Sequence, residues 1–325
     1  MTAAVRCGVL GVGMIGTEHS RIIAASPGAV LVACCDVDPA AVARVPGGAR
    51  FTTDVTELLD PELIEAVWIC TPESLHRRHV EQALDAGVAV FCEKPIARTL
   101  ADADAIARRL ETSGGTLVVG HLLRFDPRYL AVHAAVSEGR VGTIATITAR
   151  RNVPDFEGRL LFDRTTPALE MGVHDLDVMQ WLAGPIERVH GEAARTGIVG
   201  EGAVDAIVAT LRFSSGAVGT LELGWATPAE TGLRSDYRLS VVGSSGGAFI
   251  ELRDDGVAVF SKQGTTLPRS SSALLLEDQA FLRLVRGRQG WPLSVSDSRL
   301  ALVAAIGIDR SIADGVPVVL SDVTS

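Results

Sequence analysis

The stretch Val5-Arg6-Cys7-Gly8-Val9-Leu10-Gly11-Val12-Gly13-Met14-Ile15-Gly16 decides the fold. A short, mostly apolar run over residues 5–10 reads as a buried strand, and it passes without a linker into a Gly-x-Gly-x-x-Gly turn that opens a helix. Gly11 permits the tight turn, Gly13 lets an anion approach the backbone, and Gly16 lets helix and strand pack closely. At the helix start the backbone N–H groups of Gly13, Met14, Ile15 and Gly16 have no partner within the helix, so they can face a pyrophosphate. The same letters elsewhere would be a glycine-rich turn. Between a strand and a helix they are a dinucleotide fingerprint.

Working outward, the next strand, over residues 30–35, ends at Asp36, twenty residues after Gly16. An acidic side chain there can accept hydrogen bonds from the adenosine ribose hydroxyls, and its charge repels a 2′-phosphate. No arginine follows in Val37-Asp38-Pro39, so the expectation is NAD rather than NADP. A helix cap is the other reading of Asp36, but Asp38 is better placed for that. Further strands read over 66–70, 88–92 and 116–119, alternating with helices over 18–25, 75–86 and 100–111. The continuous apolarity of the strands indicates a parallel sheet covered on both faces. Residues 1–121 are therefore expected to form a doubly wound Rossmann domain.

Two of these strands run into polar residues at the carboxyl edge, where parallel sheets bind ligands. One leads into Thr71-Pro72, and the other into Glu93-Lys94-Pro95. Pro95 restricts Lys94 to an extended backbone, which aims the ammonium. A surface Lys-Pro turn is the plainer alternative. His76 and His79 read as the start of the next helix, and His76 is placed with Thr71, Pro72, Glu93 and Lys94 among the cofactor-binding residues.

After residue 121 the rhythm changes. A helix over 127–137, a strand over 144–150 and a helix over 167–182 precede several strands that look antiparallel, with hairpin turns at 213–217 and 242–247. Closing helices at 277–286 and 296–314 complete an expected second domain, 122–325. In the 167–182 helix, capped by Thr166 with Pro167 in its first turn, Glu170, His174, Asp177 and Trp181 fall within about 60° of one another at 100° per residue. A histidine one turn from a carboxylate suits general acid-base work. A satisfied structural network is the alternative. Glu170 and His174 alone do not make a metal site, and none is expected.

Composition narrows the function. Of 325 residues, 47% are hydrophobic and 21% charged, which suits a globular protein with two cores, and no apolar run approaches the length of a membrane span. A net charge of −9 without a lysine or arginine cluster disfavours nucleic acid and anionic membranes, leaving a small molecule as partner. The N-terminus carries no export signal pattern. The five cysteines sit in or beside strands without zinc-like spacing, which fits reduced thiols in a cytoplasm.

Taken together, the 11–16 fingerprint, Thr71-Pro72, Glu93-Lys94-Pro95, Gly120-His121 with Arg124-Phe125, and Gly172-Val173-His174-Asp175-Leu176-Asp177 with Trp181-Leu182-Ala183-Gly184 resemble the glucose-fructose oxidoreductase / inositol 2-dehydrogenase / rhizopine catabolism (Gfo/Idh/MocA) family. The resemblance covers nearly the whole chain. It implies a Rossmann domain followed by an α/β domain whose open, largely antiparallel sheet builds a homodimer or homotetramer, with substrate between the domains. It also implies NAD-dependent interconversion of a secondary alcohol and a ketone on a sugar or cyclitol. Lys94 would orient the reacting oxygen, His174 would be the acid-base residue, and the peptide before Pro95 would be cis. Glu170 stands where the family often has aspartate; with Arg124 it is placed among the substrate contacts, beside Lys94 and His174. Similar folds also serve as keto-sugar reductases, as redox-assisted glycosidases and as non-catalytic NAD-binding regulators.

Overall fold

The computed structural model describes residues 3–229, 235–251, 256–261, 264–266, 272–287 and 290–324. They fall into two compact units, 1–122 with 272–299 and 123–271 with 300–325.

The first unit opens with strand β1 (Val5–Leu10), helix α1 (Met14–Ala25), β2 (Ala29–Cys35), β3 (Arg50–Thr52) and the short α2 (Val55–Leu58). It continues with β4 (Ala66–Ile69), α3 (His76–Asp85), β5 (Ala89–Glu93), α4 (Leu100–Ser113) and β6 (Leu117–Gly120). The six strands pair in parallel in the order β3-β2-β1-β4-β5-β6. The chain thus starts in the middle, builds to one edge and returns to build the other, so β1 and β4 diverge at the crevice where such sheets bind ligands. β4 is buried throughout, and so is β5 apart from its half-buried first residue, which accounts for their unbroken apolarity. Local chemistry sets the helix ends. Thr99 accepts from the backbone N–H of Asp102 to cap α4, and Gly114 closes that helix at φ 62°. The three-residue edge strand β3 lacks a readable pattern and was not anticipated.

The second unit holds α5 (Pro127–Ser137), β7 (Ile144–Pro154), α6 (Asp155–Leu161), a π-helical turn at Ala168–Gly172, and α7 (Val173–Ala183). Then come β8 (Ile186–Ala194), β9 (Ala206–Phe213), β10 (Val218–Thr227), β11 (Asp236–Gly243), β12 (Gly246–Glu251), β13 (Gly256–Ser261) and β14 (Gly264–Thr266). With β15 (Val318–Val319) they form a nine-stranded sheet in the order β14-β13-β12-β11-β7-β10-β9-β8-β15. Pairing is antiparallel except between β7 and β10, which are parallel. Both expected hairpins are present, β9–β10 and β11–β12. Along β9, Ile207, Ala209, Leu211 and Phe213 are buried while Val208 is exposed, the alternation of a sheet covered on one face. α5 and α7 pack against this sheet.

One placement differs from the expectation. The helix α8 (Ala273–Val285) was assigned to the second domain, yet it belongs to the first unit, where it packs against α1. Phe281 meets Trp68 edge-to-face at 4.9 Å and joins the core formed by Val9, Ile23, Cys34 and Phe91. An amphipathic run does not encode which core it will cover. The following helix, α9 (Val295–Asp314), starts in the first unit and ends in the second. Among the described residues no helix is long and apolar enough to cross a membrane.

Candidate active site

The fingerprint folds as its glycines require. Gly11 sits at φ 90°, a left-handed conformation that disfavours any side chain, and a Cβ at Gly16 would collide with the Gly11 carbonyl oxygen. A Cβ at Gly13 would meet nothing within 4 Å, so the backbone there lies open to an approaching group. Met14 and Ile15 begin α1, whose first internal bond runs from Thr17 N–H to the Gly13 carbonyl, leaving the earlier N–H groups to an anion. A pocket of about 470 Å³ borders this turn, lined by Gly13, Met14, Thr17, Glu18 and Arg44. Open backbone, free helix terminus and a carboxylate at the end of β2 fit a dinucleotide.

Asp36 is half-buried and accepts from Val12 N–H at 2.7 Å and Asp38 N–H at 3.0 Å. Its carboxylate therefore braces the fingerprint loop. The cap belongs to Asp38, which accepts from Ala40 N–H. No arginine lies between Asp36 and Pro39 along the chain, but a 3₁₀ turn over Pro39–Arg44 brings Arg44 back, and its Nε donates to the Val12 carbonyl at 2.7 Å. No spacing rule identifies that contact, because it depends on the path of the turn.

The loops after β4 and β5 are tied together. The buried His76 ring lies with Nδ1 2.8 Å from the Pro95 carbonyl and Nε2 2.8 Å from the Thr71 carbonyl, and burial lowers its pKa. Both nitrogens face backbone, which sets His76 between the two loops. Thr71 also has its hydroxyl 3.1 Å from His79 Nδ1, while Pro72 is exposed. Lys94 is half-buried at the end of β5, the Lys94–Pro95 peptide is cis, and Lys94 N–H donates to Glu93 Oε2 at 3.0 Å.

In the second unit the polar stripe divides. The π-helical turn over Ala168–Gly172 departs from the regular helix assumed in the wheel, a deviation common at functional sites. Asp177 and Trp181 are committed to packing. Asp177 accepts two bonds from the buried Arg124, at 2.8 and 2.7 Å, and Trp181 stacks on His133 at 3.8 Å with Arg124 over its ring. Arg124 thus spends Nε and Nη2 on Asp177 rather than turning its fork to a substrate. Arg151 and Asp175 form a second buried bidentate pair, at 2.6 and 3.1 Å. Glu170 and His174 remain half-buried, with Glu170 4.0 Å from Arg164. Among the described residues no group of three or more His, Cys, Asp or Glu is arranged to hold a metal.

Thr166 caps the π-helical turn as expected, accepting from Leu169 N–H at 3.2 Å, while its hydroxyl donates to Asp309 Oδ2 at 2.7 Å. Sequence reading missed Asp309, which is 143 residues away. Burial pushes its carboxyl up to about 6 against the pull of the Thr166 bond. The folded state therefore holds this proton more tightly than the unfolded chain, whose aspartate titrates near 3.9, and its stabilising contribution is present at low pH and fades between about pH 4 and 6. Asp309→Asn is expected to raise stability at pH 7–8 by about 2 kcal/mol and to flatten that window in denaturant titrations. Equal stability of variant and parent at pH 7.5 would contradict it.

A doubly wound parallel sheet with a glycine turn open to an anion and a lysine at its carboxyl edge, and a second unit carrying Glu170 and His174, fit a nicotinamide-dependent oxidoreductase. Residues 5–121 match the model of the oxidoreductase family with NAD-binding Rossmann fold, and 129–249 match that of the GFO/IDH/MocA C-terminal domain. The chain belongs to the Gfo/Idh/MocA oxidoreductase family. It is 30% identical to scyllo-inositol 2-dehydrogenase (NAD(+)) of Bacillus subtilis, covering 98% of this chain and 97% of the relative. It is 31% identical to inositol 2-dehydrogenase 2 of Paenarthrobacter aurescens, over 96% and 97% of the two chains. Its fold matches the crystal structure of a putative myo-inositol dehydrogenase from Sinorhizobium meliloti, with TM-score 0.82, 26% identity, and 98% and 100% coverage.

Proposed function

We propose that this protein is an NAD-dependent dehydrogenase of an inositol or related polyol, oxidising a ring secondary alcohol to a ketone. The observation that carries the reading is the fingerprint turn with Asp36 braced beneath it, on a chain similar over nearly its whole length to inositol dehydrogenases. Gly11, Gly13, Met14, Ile15, Gly16, Asp36, Thr71, Pro72, Glu93 and Lys94 would hold the cofactor. Bound NAD supplies the acceptor for the hydride that leaves the alcohol carbon. Lys94 orients and polarises the reacting oxygen, and His174 takes the hydroxyl proton as the carbonyl forms. Glu170 steadies His174 or a neighbouring hydroxyl, and Arg124, through Asp177, sets α7. The reductive direction uses the same groups with the proton returned by His174.

Purified protein incubated with NAD or NADP and myo-inositol, scyllo-inositol, D-glucose and sugar acids should show a substrate-dependent rise in NADH absorbance. No rise with any of them, while calorimetry still shows NAD bound, would favour a reductase or a regulator. Asp36→Ser should raise the NADP-to-NAD ratio of kcat/KM by about 10–100-fold, the worth of one or two charge-assisted bonds. Arg44 would be the phosphate's new partner, so Arg44→Ala in that background should cancel the gain. Unchanged selectivity in Asp36→Ser would remove Asp36 from the role.

The chain's own surface supports a second copy of itself as partner. Val208 and Val218 are exposed on the face of the nine-stranded sheet away from Ile207 and Leu211, beside a pocket of about 570 Å³ lined by Thr146, Thr210 and Thr220 among others. Light scattering should report a dimer or tetramer that Val208→Asp/Val218→Asp shifts to smaller species; a monomeric parent would sink this. The five cysteines are free, and on that ground we place the protein in a reducing cytoplasm.

A further inference from the structure

A charged cluster is buried in the first unit beside Glu93, the residue before Lys94. His19, on α1, is fully buried, with Nδ1 2.7 Å from Asp278 Oδ1 and Nε2 3.0 Å from Glu93 Oε1. Ionised carboxylates only accept hydrogen bonds, so both ring nitrogens must donate and the ring is an imidazolium. Trp68 Nε1 donates to the same Asp278 oxygen at 2.8 Å; burial raises the Asp278 carboxyl, the His19 and Trp68 contacts pull it back toward the ionised form, and the Phe91 ring closes the side of His19 at 5.2 Å. Burial alone would push His19 down; the two carboxylates outweigh it and hold its pKa at about 10. Glu277, beside this group on α8, has neither carboxyl oxygen bonded among the described residues, and burial pushes its pKa well above the usual range.

The network ends on the Lys94 backbone. Glu93 takes His19 on Oε1 and Lys94 N–H on Oε2, so one carboxylate couples the imidazolium to the residue that closes β5. Burial raises Glu93, but the His19 contact, with Lys94 behind it, brings it below the usual carboxylate range. Without the cation at position 19, Glu93 and Asp278 would be two buried carboxylates facing the same void. One would take a proton or turn away, and the Lys94 amide would lose a fixed acceptor.

We propose that His19, clamped as a cation between Glu93 and Asp278, is a positioning residue that sets Lys94 for the reaction. The helix α8 is in this view part of the catalytic apparatus, since it delivers Asp278. The inference rests on the role assigned to Lys94 above. It makes no claim that His19 touches substrate or cofactor. A displacement of reacting groups by about 1 Å can cost on the order of 100-fold in rate, which sets the scale of the effect.

The test is a double-mutant cycle on the full chain with NAD and myo-inositol, or scyllo-inositol if it turns over faster, alongside NAD titration by calorimetry. His19→Gln is expected to lower kcat about 10–100-fold, while NAD binding, to which Glu93 and Lys94 are two contacts among several, weakens by less than kcat falls. In a Lys94→Ala background the same substitution should change the residual rate by less than about 3-fold, because a residue acting through Lys94 has nothing left to position. Equal fold losses in both backgrounds, or a loss confined to NAD affinity or thermal stability, would overturn the proposal while leaving Lys94 its role. Full turnover by Lys94→Ala would instead overturn the role of Lys94, and this inference with it. If His19→Gln does not fold, Asp278→Asn, which removes only the far carboxylate's charge, goes through the same cycle under the same criteria.

Discussion

Replacing His174 by asparagine is expected to lower kcat by about 10²–10⁴, the usual worth of a general base, while the Kd for NAD stays within about 3-fold. Asparagine keeps polarity and approximate size but cannot take a proton, so it separates acid-base chemistry from packing. His174 is suited to this experiment because it is half-buried and lies one residue into α7, just after the π-helical turn, whereas its neighbours Asp175 and Asp177 are each taken by a buried arginine. Steady-state rates with NAD and myo-inositol, read by NADH absorbance, decide the matter. A variant retaining near-parental turnover would assign the proton to another group, and Glu170 would be the next residue to replace.

Asp177→Ala is expected to destabilise the second unit by about 3–5 kcal/mol, because it strands the Arg124 guanidinium without a counter-charge. The two side chains are only 5% and 1% exposed, so water cannot take the lost partner's place. The double variant Arg124→Met/Asp177→Leu should recover most of the loss, since apolar groups of similar bulk fill the space without a buried charge. Denaturant melts of parent, single and double variants test both statements. A single variant melting like the parent would mean that water or a local rearrangement reaches the guanidinium. Loss of activity in a double variant of normal stability would show that the pair also sets α7, which carries His174.

Much of the molecule was legible from local chemistry. The fingerprint, the parallel strands, the hairpins at 213–217 and 242–247, and the Asp38 and Thr166 caps rest on backbone sterics, apolar periodicity and side chains bonding within three residues. Such features are complete within a short window, so the letters in that window suffice. The proposed site residues Lys94 and His174 were picked out in the same way, as residue types placed after a strand or along one helix.

What such a window cannot hold was decided by the tertiary structure. The helical wheel counted Asp177 and Trp181 with His174, but Arg124 and His133 arrive from other elements and claim them. The His76 ring nitrogens sit beside two carbonyls, 5 and 19 residues away, that its place at a helix start does not indicate. The acid that holds His19 lies 259 residues along the chain, on a helix whose apolar stripe does not say which core it covers. By itself the sequence determined the Gly11–Gly16 turn, the strand that runs into Glu93-Lys94 and the helix that carries His174, because these depend on neighbours along the chain. Which charges neutralise one another in the interior was decided only when distant segments met, since a buried ion is stable only beside a partner that the chain's path, not its local pattern, supplies.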